Sequence, residues 1–217
     1  MIRDLQSPYP HMMPEQGHFV RMMKAANVRK SQTVVVYDTG KGWFSSRAVF
    51  MLRTYGHINA FILDGNFAKW VSEGRPVESD EGEETYDADF DYSMTGENIM
   101  SYERVKEVSQ DGSIQVVDAR PGGFANGNIT NSVHVPCTQL VKEDGTIKDA
   151  DDIRNQFTSA GVDITKPIAF SCGGGITATI GYNAAMLANF AGPLYMYDGS
   201  WAEYRARKAQ EEAEGSQ

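Results

Sequence analysis

Cys172 stands in the run Ser171-Cys172-Gly173-Gly174-Gly175-Ile176-Thr177. A short apolar, β-rich stretch (167–171) leads into it and a small-residue helical stretch (177–190) follows. The thiol is therefore expected at the C-terminal end of a buried strand, where open α/β sheets bind their ligands. Successive glycine N–H groups can curl around an anion, and the start of a helix adds partial positive charge. Both effects favour the thiolate, the nucleophilic form of cysteine. The competing reading is a structural cysteine beside a glycine turn; the strand-end position and the glycine loop favour the nucleophile.

The other candidates carry less chemistry. Cys137 follows Pro136 and precedes an apolar run, which suits a buried small hydrophobe; a resolving thiol for Cys172 is the alternative. His11, His18, His57 and His134 show no metal-ligand spacing, so no metal or other cofactor is expected. His134 lies beside a predicted strand and reads as structural. Met12, Met13, Met22 and Met23 form a methionine-rich helix face, the usual filler of a core or an interface.

The elements that must position Cys172 recur along the chain. A shift of 134 residues lays 27–38 over 161–172, Asp64-Gly65 over Asp198-Gly199, Phe67 over Trp201 and Trp70 over Tyr204. In each copy a helix (15–26; 150–160) precedes an apolar strand (33–37; 167–171). A loop and second helix (45–55; 177–190), a further strand (60–63; 194–197) and an aromatic helix after Asp-Gly complete the unit. Alternating strands and helices predict an α/β fold, a parallel sheet with helices on both faces. Asp38 occupies the place of Cys172 in the first copy, so only the second copy is expected to react.

The second copy has more upstream: a helix over 95–110 with Thr95 near its N-cap, a strand over 114–118, and another over 133–136. The first copy has no counterpart, so it is expected to be incomplete (1–77), joined by an acidic exposed linker (78–92) to a complete unit (93–217). An incomplete parallel sheet leaves unpaired backbone and bare apolar surface, which predicts a protein partner or self-association.

Composition sets the outer limits. The 217 residues are 41% hydrophobic and 23% charged, as in a globular protein with a core, and the net charge of −9 disfavours a nucleic-acid partner. Two cysteines make no disulfide scaffold, so a reducing compartment is favoured. The first sixteen residues have no continuous apolar run, so no secretory signal is expected. The uncharged stretch 167–197 is long enough to cross a bilayer, but its polar residues and glycines read as soluble core rather than as a transmembrane span.

Taken together, these motifs resemble the tandem rhodanese-type sulfurtransferases, the 3-mercaptopyruvate and thiosulfate sulfurtransferase family. The resemblance covers nearly the whole chain. It rests on Ser7-Pro8-Tyr9-Pro10-His11-Met12-Met13-Pro14, Thr33 to Asp38, Leu63-Asp64-Gly65 with Lys69-Trp70, and Glu73-Gly74-Arg75-Pro76-Val77. In the second copy it rests on Val117-Asp118-Ala119-Arg120, Cys172 to Thr177, and Tyr197-Asp198-Gly199-Ser200-Trp201. The resemblance implies a rhodanese-like parallel sheet and a ping-pong reaction. Cys172 takes a sulfane sulfur from a small donor, forms a persulfide, and passes it to a thiol or other thiophilic acceptor. It places Gly173, Gly174, Gly175, Ile176 and Thr177 on the loop whose amides cradle the donor or persulfide. It also places Arg120 on an arginine that binds the donor's carboxylate or sulfonate, with a surface salt bridge after a strand as the alternative.

The chain departs from the family pattern at several points. Mercaptopyruvate enzymes usually carry Cys-Gly-Ser-Gly-Val-Thr, with the serine in proton relay, and here that position is Gly174. Thiosulfate enzymes place cations directly after the cysteine, and here there are glycines. A Gly-Arg-Phe motif appears as Gly123-Phe124, and Gly-His-Ile-Pro-Gly reads Gly127-Asn128-Ile129-Thr130-Asn131. A cysteine phosphatase would need arginine where Ala178 stands. The expected activity is sulfur transfer. The alternatives are a weak or inactive accessory subunit of a larger complex and a sulfur-relay module served by a partner protein. The resemblance points to the mitochondrion, with the cytoplasm as the alternative.

Overall fold

Helices and strands alternate through residues 3–79, 91–94 and 97–215, which the computed structural model describes. The first half runs α1 (Gln16–Ala25), β1 (Val34–Val36), α2 (Trp43–Thr54), β2 (Ala60–Ile62) and α3 (Asn66–Ser72). The second runs β3 (Ile99–Met100), α4 (Tyr102–Asp111), β4 (Gln115–Asp118), β5 (Val133–His134), α5 (Ala150–Ser159), β6 (Ile168–Ser171), α6 (Ala178–Leu187), β7 (Leu194–Tyr197) and α7 (Ser200–Glu214). The order α1-β1-α2-β2-α3 thus reappears as α5-β6-α6-β7-α7.

Five parallel strands form the main sheet in the order β3-β7-β6-β4-β5. The central strand β6 is buried at all four positions, as a continuous apolar run between two neighbours requires. Phe170 packs against Phe157 and Tyr182, and Gly181 lets α6 approach closely, since a Cβ there would meet Phe170 Cδ1 at 2.8 Å. In the first half β1 and β2 pair in parallel, Val34 with Ala60 to Val36 with Ile62, and among the described residues pair with no other strand. Val35, Tyr37 and Phe61 are correspondingly exposed.

The two halves share a core. Phe50 of α2 is 1% exposed inside the same apolar cluster as Val117, Phe170 and Cys172, edge-on to Tyr182. Beside it, Thr179 donates to Ser46 Oγ at 3.2 Å, and the Asn183 amide donates to Ser46 Oγ at 2.9 Å and Ser46 O at 3.2 Å.

Two expectations need correction. The helix predicted over 95–110 begins only at Tyr102, where the Ser101 hydroxyl accepts the Arg104 amide; Ile99 and Met100 are instead the edge strand beside Met196 and Tyr197. Thr95 lies outside the described residues. A two-residue strand is too short for periodicity to reveal, and its pairing supplies what local propensity lacks. The linker expected over 78–92 is not exposed at its end. Tyr92 is 1% exposed, packs edge-on to Phe19, and donates its hydroxyl to Val28 O while contacting His57 Nδ1.

Phe50→Ala is expected to lower the unfolding free energy by about 3–5 kcal/mol, read from urea titration, because the cavity opens in the shared core.

Candidate active site

β6 ends at Ser171, so Cys172 emerges at the C-terminal end of the central strand. The residue is only 2% exposed. The loop that follows is pinned by one hydroxyl. Ser200, held at a left-handed φ of 51°, accepts the amides of Cys172 at 3.0 Å and Gly175 at 3.1 Å. It donates to Tyr197 O at 3.0 Å, and its oxygen lies 3.9 Å from Cys172 Sγ. The start of α7 finishes the anchoring, with the Trp201 amide on Cys172 O and the Ala202 amide on Gly173 O, both at 3.0 Å.

The three glycines have different duties. Gly175 has φ 82°, and a Cβ there would meet Asp198 O at 2.6 Å, so no other residue fits. At Gly174 a Cβ would come 3.0 Å from Pro10 Cγ and 3.7 Å from His11 Cδ2, so the segment around His11 covers this part of the loop. Gly173 is exposed, with nothing near its Cβ direction. Among the described residues no acceptor is bonded to the amides of Gly173, Gly174, Ile176 or Thr177.

The corresponding loop of the first half shows what such amides can hold. The Asp38 carboxylate accepts the amides of Gly40 at 2.8 Å and Gly42 at 3.1 Å on one oxygen, and those of Phe44 at 3.1 Å and Ser45 at 3.2 Å on the other. Asn66, again at a left-handed φ (56°), accepts the Asp38 amide at 3.0 Å as Ser200 accepts that of Cys172. A carboxylate fills the first cradle from within. In the second half a cysteine stands where that carboxylate would be.

Several residues that sequence reasoning passed over meet at this loop. Arg47 and Asp198, 2% and 3% exposed, pair at 2.6 Å, and the Met13 amide donates to the other Asp198 oxygen at 2.6 Å. The buried Nδ1 of His11 has no partner among the described residues. Burial first, and then the charges of Arg3 and Arg47, hold this imidazole below the ordinary histidine range, against the opposing pull of Asp198. The signal for Ser200 was present in the repeat, as the polar residue after Asp-Gly that matches Asn66. Nothing local marked Arg47, and His11 stood in the Ser7–Pro14 motif with no role attached to it.

Arg120 is turned into the protein. Its Nε and Nη2 bond the buried Asp118 at 2.7–3.0 Å, its Nη2 reaches Gly127 O at 2.7 Å, and its guanidinium lies against Trp201 and Phe124. The pair with Asp118 is buried, not the surface salt bridge of the alternative reading. Thr177 is buried beside the start of α6. Burial, and the neighbouring Cys172, push the Cys137 thiol up to about 11, so it stays protonated at neutral pH. His134 bonds Arg120 O at 2.7 Å, a structural contact. A cavity of about 520 Å³ lies elsewhere, between the halves, lined by Phe61, Ile180 and Leu187 and rimmed by Lys41 and Arg53. Among the described residues no group of three or more His, Cys, Asp or Glu is arranged to hold a metal ion. No helix there is long and apolar enough to cross a membrane.

Residues 5–73 and 101–207 match the rhodanese-like domain family. The chain belongs to that family. It is 34% identical to the 3-mercaptopyruvate sulfurtransferase of Escherichia coli (strain K12), over 95% of this chain and 76% of that protein. It is 32% identical to the thiosulfate sulfurtransferase of Gallus gallus, over 93% and 73%. The crystal structure of a 3-mercaptopyruvate sulfotransferase from Escherichia coli superposes with a TM-score of 0.83 at 31% identity, covering 92% of this chain and 78% of that one. These rhodanese relatives are sulfurtransferases, which supports enzymatic sulfur transfer by this chain.

Gly175→Ala is expected to cost about 1–2 kcal/mol from the left-handed backbone alone, with more from the contact on Asp198 O, whereas Gly173→Ala changes stability by under about 1 kcal/mol. Thermal unfolding of the two variants side by side checks this.

Proposed function

We propose that the chain moves a sulfane sulfur from 3-mercaptopyruvate or thiosulfate to a thiophilic acceptor through a Cys172 persulfide. The observation that carries the proposal is the pair of cradles: Gly40 and Gly42, whose amides hold one oxygen of the Asp38 carboxylate in one half, correspond to Gly174 and Ile176, whose amides bond no acceptor among the described residues in the other. The Cys172 thiolate attacks the donor sulfur. With 3-mercaptopyruvate the C–S bond breaks, the electron pair passes to carbon, and one proton completes pyruvate; with thiosulfate the S–S bond breaks and sulfite leaves. The persulfide anion rests against the loop amides. A thiolate or cyanide then attacks its outer sulfur and returns Cys172 as thiolate.

The charge pattern favours the mercaptopyruvate donor. Both arginines near the site are paired with buried aspartates, Arg47 with Asp198 and Arg120 with Asp118, and the loop after Cys172 carries no cation. Amide dipoles with neutralised arginines suit a monoanion better than a dianion. His11, neutral at pH 7 and set over Gly174 where the family pattern has serine, is the group positioned to carry the proton.

A second reading, a rhodanese-derived accessory subunit, is favoured by one observation: β1 and β2 pair only with each other among the described residues, and Val35, Tyr37 and Phe61 are exposed beside them. A stable, soluble monomer by light scattering would count against it.

Incubation with 3-mercaptopyruvate is expected to add the mass of one sulfur atom to the wild type and none to Cys172→Ser, with cyanide reversing the gain. No gain from a folded protein with a reactive thiol sinks the proposal. Protonation of His11 as pH falls through its lowered pKa is expected to produce an acid limb below pH of about 6.5. His11→Asn is expected to slow transfer by about 10²-fold and to remove that limb from the residual rate.

A further inference from the structure

Arg47 belongs to α2 of the first half, yet the hydrogen-bond and ion-pair partners of its guanidinium all lie outside that helix, although its carbon also sits 6.0 Å from the Phe50 ring centre within it. Nη1 pairs with Asp198 Oδ1 at 2.6 Å and donates to Gly175 O at 3.1 Å, and Nη2 donates to His11 O at 2.6 Å. Asp198 in turn accepts the Met13 amide at 2.6 Å. Three separate segments are thus tied to one side chain: the covering segment at His11–Met13, the loop after Cys172, and the turn that delivers Ser200. Gly175 is the residue of the loop that Ser200 also pins, through its amide. Its backbone is therefore fixed from both sides, N–H by Ser200 and C=O by Arg47.

Docking of the two halves does not need this pair. Phe50 in the shared core and the Ser46 contacts with Thr179 and Asn183 already join α2 to α6. Taking a guanidinium and a carboxylate out of water is costly, and the planar fork of arginine is the group that can satisfy a carboxylate and two carbonyls together. That arrangement is spent on the loop rather than on the interface.

We propose that Arg47 is a positioning residue for the sulfur-carrying loop: the first half, which has no thiol of its own at Asp38, supplies the clamp that holds Gly175 and the His11 segment in place around Cys172. This rests on the sulfur-transfer reading for its kinetic consequence, while its geometric consequence can be read without it. With the clamp intact Cys172 is 2% exposed. Without it the loop gains freedom, the amides no longer converge, and the thiol opens to solvent.

The test uses Arg47→Lys, which keeps the charge beside Asp198 and loses the fork, and Arg47→Met, which loses both. Ser46→Ala, which weakens docking without touching the loop, is the control. Two quantities are measured well below each variant's thermal midpoint. One is kcat and KM for sulfur transfer from 3-mercaptopyruvate to cyanide; the other is the rate of iodoacetamide alkylation on the peptide bearing Cys172. Both arginine variants are expected to lose kcat, by about tenfold for lysine and about a hundredfold for methionine, with KM changed by less than about threefold. Alkylation is expected to rise about fivefold as the loop opens, so the two rates move in opposite directions. Ser46→Ala is expected to lower the midpoint and leave both rates near wild type. Wild-type alkylation in the arginine variants, or changes no larger than those of Ser46→Ala, would overturn the clamp. Should the wild type gain no sulfur, the reaction assignment fails while the alkylation comparison still decides the clamp. Should Arg47→Met not fold, Arg47→Lys carries the same comparison.

Discussion

The amides that turn away from the end of a central strand must be given something to bond. In the first half Asp38 answers that demand with its own carboxylate, and the loop is closed to anything else. In the second half Cys172 has no oxygen to offer, and among the described residues the amides of Gly173, Gly174, Ile176 and Thr177 bond no acceptor; under the proposed reaction they face the persulfide. One substitution between two otherwise parallel arrangements divides a loop that bonds its own amides from one that leaves them unbonded among the described residues. The glycines after Cys172 follow from the same demand, since Gly175 must turn left-handed beneath Asp198 O and Gly174 must leave room for Pro10.

The rest of the molecule keeps that loop still. The sheet buries β6 on both faces, Ser200 ties the loop's two ends together, and α7 caps its carbonyls. Arg47 and Asp198 add a buried charge pair that joins parts of the chain more than a hundred residues apart. Such a pair contributes modestly to net stability, because its attraction is offset by desolvation, yet breaking it leaves an uncompensated charge. Its value lies in fixing one arrangement of three segments. The same accounting explains Arg120, whose partner Asp118 sits 1% exposed at the end of β4. Once that carboxylate is buried, a guanidinium must stay with it.

The exposed side chains of the first half have a different origin. Val35 and Phe61 alternate with inward-facing neighbours on strands that find no further partner among the described residues. Apolar residues chosen for a sheet interior are then left at its edge.

The sequence by itself determined what depends on local pattern. Apolar runs marked β1, β4, β6 and β7, and the 134-residue register placed Asp38 over Cys172. The glycine run marked where the backbone had to turn and pass close to its neighbours. Each of these signals is local or repeated, so it survives in one dimension. Only the tertiary structure decided which side chains meet the loop after Cys172. His11, Arg47 and Asp198 lie far apart in sequence and meet because α2 packs on α6 and the N-terminal segment crosses the loop. Arg120 shows the converse: its motif named the residue, but the burial of Asp118 decided where its guanidinium points. The two-residue strand β3 and the inward turn of Tyr92 are likewise fixed by partners rather than by propensity. Long-range packing assigns a side chain its neighbours, and neighbours, not spacing, set its charge state and its work.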